Sequence, residues 1–187
     1  SVSRGLGDVY KRQVFNENDY QILCDFANQK NNMSILNWNL KKPGEWAETD
    51  WIYDSVSEKY RLYDCNFNCL KLDGNIDLSG CTKIDNIDFA SNNIRTVTLP
   101  VRNINEGEFY NCSKLEAVIL QGGTTISSGA FMNCPALQAI YIPDSIADIS
   151  DDAFANSSKV TICANTGSFA EAFANKKGIN FKSGSFL

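Results

Sequence analysis

Three stretches of this chain, read in phase, limit its fold more than any other feature. EFYNCSKLEAVIL covers residues 108–120, AFMNCPALQAIYI covers 130–142 and AFANSSKVTIC covers 153–163. Phe109, Phe131 and Phe154 are spaced by 22 and 23 residues; Asn111, Asn133 and Asn156 repeat those steps, as do Leu115, Leu137 and Val160. A unit of this length cannot close a hydrophobic core alone, so the copies must stack and share one. Leu115, Val118 and Leu120, like Leu137, Ile140 and Ile142, suit a short strand with one buried face. A polar turn and a second apolar segment follow (Ile146 and Ile149, echoed by Ile126) before the next Phe.

Upstream the pattern loosens. NIRTVTLP (93–100) repeats the strand and its proline, and Ile104 and Phe109 are in phase with Ile149 and Phe154. Ile84-x-x-Ile87-x-Phe89 and Leu62-x-x-Cys65-x-Phe67 are further candidates, 22 residues apart. Ile84 and Ile94 begin either two strands or one strand and the return segment of a longer repeat. The chain divides into repeats over 61–166 and flanking caps over 14–60 and 167–187. In the first cap Tyr20, Leu23, Phe26 and Ala27 share a helix face, with Asn16 or Asn18 as N-cap, and Trp38, Trp46 and Trp51 follow. In the last, Phe169, Ala170 and Phe173 lie at helical spacing, Gly178 ends the helix, and Ile179 and Phe181 suit an edge strand. Residues 1–13, SVSRGLGDVYKRQ, match nothing that follows and read as translated adapter sequence; on that reading the natural N-terminus, with any export signal, is missing.

Composition narrows the chemistry. The chain has no histidine, which removes His-based triads and His-containing metal sites. Its seven cysteines include no C-x-x-C pair, so zinc or redox spacing is unsupported and no cofactor is expected. A net charge of −5 without a basic cluster argues against nucleic acid, and no apolar run is long enough to span a membrane.

Repeat phase also assigns most reactive side chains to structure. Cys81, Cys112, Cys134 and Ser157 precede the strands at positions read as equivalent, which makes them small fillers of an interior turn. A Cys65–Cys69 disulfide is weakly supported. Asn111, Asn133 and Asn156 read as side-chain amides that satisfy backbone groups at each turn, which leaves Asn32-Met-Ser34 the better glycosylation acceptor. Asp151 and Asp152 read as a solvated turn.

The A-F-x-N-C-x-x-L-x-x-I-x-I-P register resembles the BspA-like leucine-rich repeats of bacterial and protist surface proteins, over roughly residues 93–181. GNIDLSGCTKIDNIDFASNNIRTVTL is similar to another bacterial leucine-rich repeat type. The helix and Trp-rich segment resemble the N-terminal cap of plant-type leucine-rich repeat proteins, without that cap's paired cysteines. The resemblance implies an α/β solenoid whose short parallel strands form one curved sheet, with a helical cap at the start and a helix–strand cap at the end. It also implies a non-enzymatic binding module at the cell surface or secreted, adhering to an extracellular or host protein. A structural spacer or oligomerisation segment is the alternative, and a carboxylate-based enzyme needs a pocket with converging carboxylates.

Ligand contacts are expected among strand residues that alternate outward, because a solenoid's exposed sheet is its usual binding surface. These are Tyr63, Asp64, Asn66, Asp85, Asn86 and Asp88, then Arg95, Thr96, Thr98, Glu116, Ala117, Ile119, Gln138, Ala139 and Tyr141. Asp85, Asp88, Glu116, Ile119, Gln138 and Tyr141 are the candidate site, with Ile119 beside Tyr141 as its apolar part.

Overall fold

The computed structural model describes residues 14–185; the expectation for residues 1–13 lies outside the described residues. Helix α1 (Glu17–Ala27) begins where the Asn16 side chain accepts the N–H groups of Asn18 and Asp19, both at 3.1 Å. Short helix α2 (Asn32–Leu36) follows, then the antiparallel hairpin of β1 (Thr49–Asp54) and β2 (Lys59–Asn66). The coils supply β3 (Asp73–Asp77), β4 (Asn86–Asp88), β5 (Asn93–Leu99), β6 (Ala117–Leu120), β7 (Thr125–Ile126), β8 (Ala139–Tyr141), β9 (Asp148–Ile149) and β10 (Thr161–Ala164). Helix α3 (Phe169–Lys177) and β11 (Asn180–Ser183) close the chain. Ser168 caps α3 and Gly178, in the left-handed region at φ 66°, ends it.

One parallel sheet runs β3, β5, β6, β8, β10, β11, with Ile76, Val97, Val118, Ile140, Ile162 and Phe181 aligned by its register. A second sheet, β1–β2–β4, lies on the other arm of the first coils, and β7–β9 forms a third ladder. This separates the two upstream readings: Ile94 belongs to the main sheet, whereas Ile84 opens the return arm that carries β4. Ile84-x-x-Ile87-x-Phe89 resembles a main-sheet strand because both alternate one buried face. The return arm has its own signature, an aliphatic residue five positions before each Phe: Leu62, Ile84, Ile104, Ile126 and Ile149.

Those phenylalanines form a spine. Phe67, Phe89, Phe109, Phe131 and Phe154 follow one another at centroid distances of 5.2, 5.9, 5.3 and 5.5 Å, and Phe173 of α3 ends the series at 6.3 Å. Two residues after each Phe the backbone turns left-handed, at Cys69, Ser91, Asn111, Asn133 and Asn156, with φ from 59° to 61°. The expected role of the asparagines changes accordingly. They tolerate the left-handed turn, and the amides lie at the surface, where Asn156 donates to Asn133 Oδ1 at 2.8 Å.

Three residues after Phe89, Phe109, Phe131 and Phe154 comes a buried donor that joins consecutive coils; Leu70 holds that place after Phe67. Asn92 Nδ2 donates to the Phe67 carbonyl at 2.7 Å, Cys112 Sγ to Phe89 at 3.2 Å, Cys134 Sγ to Phe109 at 3.1 Å and Ser157 Oγ to Phe131 at 2.7 Å. Each side chain also accepts a backbone N–H from the preceding coil: Leu72 to Asn92, Asn92 to Cys112, Cys112 to Cys134 and Cys134 to Ser157. Asn92 therefore holds the position assigned above to Cys81. Cys81 lies near Asp19, where burial, the largest effect, raises its thiol pKa. Burial pushes the Cys112 and Cys134 thiols up to about 12. All seven cysteines are free, including Cys65 and Cys69, and only Cys69 is exposed.

The N-terminal cap holds the first coil in two ways. Buried Asp19 accepts Arg61 Nε at 2.7 Å and the Leu62 N–H at 3.0 Å. Two side-chain amides then occupy the open edge of β3. Gln29 donates to Asn75 O and accepts Asn75 N–H, both at 2.7 Å; Asn32 donates to Asp73 O at 2.8 Å and accepts Asp73 N–H at 2.9 Å. Each amide imitates a neighbouring peptide group and so closes an edge that would otherwise pair with another strand. Asn32 is 0% exposed, so the Asn32-Met-Ser34 acceptor expected above is inaccessible in this fold.

Candidate binding face

Parallel pairing lines up the outward residues of the main sheet in rows. One row runs Asn75, Thr96, Ala117, Ala139, Thr161 and Asn180; the next contains Thr98, Ile119, Tyr141, Cys163 and Lys182. Small residues thus sit beside Ile119 and Tyr141, both half-buried, and Cys163 is 1% exposed although it points to the outer side. Burial raises the Cys163 thiol, and Lys182 on the adjoining strand partly opposes that shift. The middle of the face is an apolar strip one to two residues wide.

Charged groups border the strip at its N-terminal end. Arg95 lies between Asp73 Oδ1 at 3.3 Å and Glu116 Oε1 at 3.1 Å, and Lys114 reaches Asp73 Oδ2 at 3.1 Å. Burial works to raise the Asp73 carboxyl, but Lys114 and Arg95 outweigh it and hold it below the usual carboxylate range. Glu116 shares the Arg95 guanidinium with Asp73. Gln138 is exposed, and its backbone bridges neighbouring coils by donating to Glu116 O and accepting from Thr161 N–H, both at 2.9 Å.

Asp85 and Asp88 lie elsewhere. Both belong to the return arm, so the six candidates occupy two sheets instead of one: Glu116, Ile119, Gln138 and Tyr141 share the main face. The Tyr63 hydroxyl donates to Asp85 at 3.0 Å, which raises the phenol pKa, and Asp88 accepts Asn68 Nδ2 at 2.9 Å and Ala90 N–H at 2.9 Å. Sequence alternation does not separate the two arms, because β4 alternates one buried face as the main strands do.

Two further features escaped the sequence reading. The end of the Trp-rich stretch, from Thr49 on, forms a hairpin whose β1 lies at a sheet edge, consistent with alternation in TDWIYD and a polar turn. A pocket of about 280 Å³ lies in the cap, lined by residues including Trp38, Trp46, Lys42, Glu45 and Glu48. Its indoles stack at 4.2 Å. Glu45 is ion-paired to Lys42 at 2.7 Å, and Glu48 accepts Trp38 Nε1 at 2.6 Å. Among the described residues, no group of three or more acidic or cysteine side chains is placed to hold a metal ion.

Stacked coils with one parallel sheet, a Phe spine and capped ends define a leucine-rich repeat solenoid. The chain belongs to the BspA-type leucine-rich repeat region family, whose pattern matches residues 58–179 in six copies. No curated protein matches the chain. Among solved structures it is similar to the leucine-rich repeat ectodomain of the receptor kinase SOBIR1 from Arabidopsis thaliana, at 11% identity and a TM-score of 0.35, over 80% of this chain and 98% of that one. Proteins of this fold are repeat scaffolds for protein interaction, and among the described residues no helix is long and apolar enough to cross a membrane.

Proposed function

We propose that this chain is a non-enzymatic recognition module of a secreted or surface-attached bacterial protein, and that it adheres to an extracellular or host protein through its main sheet. The observation that carries the reading is the apolar strip: Ile119 and Tyr141 are paired by register, floored by Ala117 and Ala139 and bordered by Arg95, Glu116 and Gln138. A rigid apolar centre with a polar rim is the arrangement that protein interfaces use. Its preformed strands reduce the ordering cost of binding. The non-enzymatic part rests on how the pocket's carboxylates are engaged, Glu45 by Lys42 and Glu48 by Trp38. The surface location rests on the family resemblance.

Binding of the purified chain to immobilised matrix and serum proteins, by surface plasmon resonance, tests the proposal beside Tyr141→Ala and Ile119→Ser. Saturable binding that both variants weaken supports it. A wild-type chain that binds none of them, or variants that bind equally well while folded, overturns it in favour of a spacer role. Antibody labelling of intact source cells tests the location separately.

A further inference from the structure

The hairpin carries a surface that the main sheet does not explain. Ile52, Tyr53, Val56 and Tyr60 are 45%, 55%, 90% and 38% exposed, half of the large apolar side chains that stand exposed among the described residues. Trp51, Phe15, Tyr60 and Tyr53 form a chain of ring contacts at 5.0, 5.5 and 5.5 Å, leading from the cap interior to the surface. Beside this aromatic face β1 is the edge strand of its sheet.

The direction of its free backbone groups follows from β2. The Tyr60 carbonyl accepts Asn16 N–H at 2.8 Å and the Leu62 N–H goes to Asp19 at 3.0 Å, so both residues turn their backbone groups away from β1. Their register partners, Tyr53 and Trp51, are therefore in non-hydrogen-bonded pairs and direct N–H and C=O to the open edge. The contrast with β3, whose edge is filled by the amides of Gln29 and Asn32, is informative: β1 has no such closure among the described residues.

We propose that the β1 edge is a strand-addition site for an extended segment of a partner protein, with basic side chains alternating on its outer face and apolar ones turned toward Tyr53. The outer face of β1 carries Asp50, Ile52 and Asp54, and register places Asp50 beside Asp64 and Asn86. Asp54 has Lys83 at 3.7 Å, whereas no ion pair engages Asp50 or Asp64 among the described residues. Burial, the largest effect, and then the nearby Asp50 carboxylate raise the Asp64 carboxyl, partly opposed by a hydrogen bond from Asn86. Main-chain pairing supplies affinity and the alternating pockets supply choice of partner. This site is independent of the main-sheet proposal.

The probe is a fluorescent nine-residue peptide alternating Lys and Val, titrated by anisotropy against the full chain, with a Glu–Val counterpart. Two more versions of the Lys–Val peptide are N-methylated on one or the other alternate set of amides. The expected result is salt-sensitive binding of the Lys–Val peptide, abolished by methylating one set only. Tyr53→Pro, which removes an edge N–H without touching the β1–β2 bonds, weakens it about tenfold, while Tyr141→Ala leaves it unchanged. Equal binding of both methylated peptides, equal binding of the Glu–Val peptide, or undiminished binding by folded Tyr53→Pro overturns the proposal. So does self-association that Tyr53→Pro abolishes in sedimentation, which assigns the edge to a second copy. The methylated peptides decide the matter on the wild-type chain even if Tyr53→Pro does not fold.

Discussion

Replacing Ser157 with alanine tests whether the buried ladder couples the coils. Ser157 is 2% exposed, donates to Phe131 O at 2.7 Å and accepts Cys134 N–H at 2.9 Å. Alanine fits the space but leaves a carbonyl and an amide buried without these partners. Each unsatisfied group costs about 1–3 kcal/mol, so the loss is about 2–6 kcal/mol. Ser157→Cys restores both contacts with sulfur, as Cys112 and Cys134 do, and costs about 1 kcal/mol or less. Cys134→Ser is the converse, and is expected to be equally mild. Urea unfolding followed by circular dichroism measures the whole chain. Tryptophan fluorescence follows the cap alone, because the chain's three tryptophans, Trp38, Trp46 and Trp51, all lie there. The expected result is a lower midpoint for Ser157→Ala by circular dichroism, with a smaller shift in fluorescence since coils interact with nearest neighbours. A Ser157→Ala loss below about 0.5 kcal/mol, or a Cys134→Ser loss as large as that of Ser157→Ala, would refute the ladder's role.

Thiol titration under native conditions should find one fast-reacting cysteine per chain, Cys69, and all seven after denaturation. Asn32→Ala strips the partner from Asp73 N–H, Asp73 O and Phe26 O and should cost about 2–4 kcal/mol; with Gln29→Ala it should also produce concentration-dependent association in sedimentation, because the β3 edge is opened. The Ser150 and Ser128 hydroxyls hold the Asp152 carboxyl below its ordinary 3.8. That contribution is complete above the ordinary aspartate range and is lost as pH falls through the lowered value, so the melting temperature should drop in that window and Asp152→Asn should flatten the drop. Glu108 behaves oppositely: burial raises its carboxyl despite two hydrogen bonds from Arg102, one of them 2.8 Å. Its ionisation weakens the fold as pH rises above the ordinary glutamate range, yet Glu108→Gln should still cost about 3–5 kcal/mol near neutral pH, because it strands the buried Arg102 cation.

Local chemistry that recurs was legible in the sequence, and chemistry that depends on distant approach was not. The Phe spacing, the main strands, the α1 cap at Asn16 and the α3 stop at Gly178 are each written within a few residues. Asn92 was also legible: it lies three residues after Phe89, as Cys112 does after Phe109, and aligning on Phe would have found it. The L-x-x-I-x-I register aligns Cys81 with Cys112 instead and groups Asp85 and Asp88 with the main-sheet residues, although both belong to the return arm. Nothing local marks Gln29 and Asn32 as edge-closing amides, since their partners at Asn75 and Asp73 are more than 40 residues away. The same holds for Asp19, whose burial needs Arg61.

Most positions of the repeat are unavailable for recognition because the coils use them on each other. The Phe spine fills the interior, the residue two places on bends the chain, and the residue three places on bonds the preceding coil; a ligand that needed any of them would have to open the stack. Among the described residues, the outward rows of the main sheet and the hairpin at the N-terminal end are two surfaces that the stack leaves free. These surfaces belong to different sheets and differ in kind, one a flat apolar strip and the other a strand edge that no described residue pairs, beside Asp50 and Asp64. Side chains that distant and without shared partners act independently. Tyr141 and Tyr53 should therefore contribute additively wherever one partner engages both surfaces, and any coupling between them would have to cross the coils between the cap and β8, whereas the Ser157 rung lies on the far side of β8.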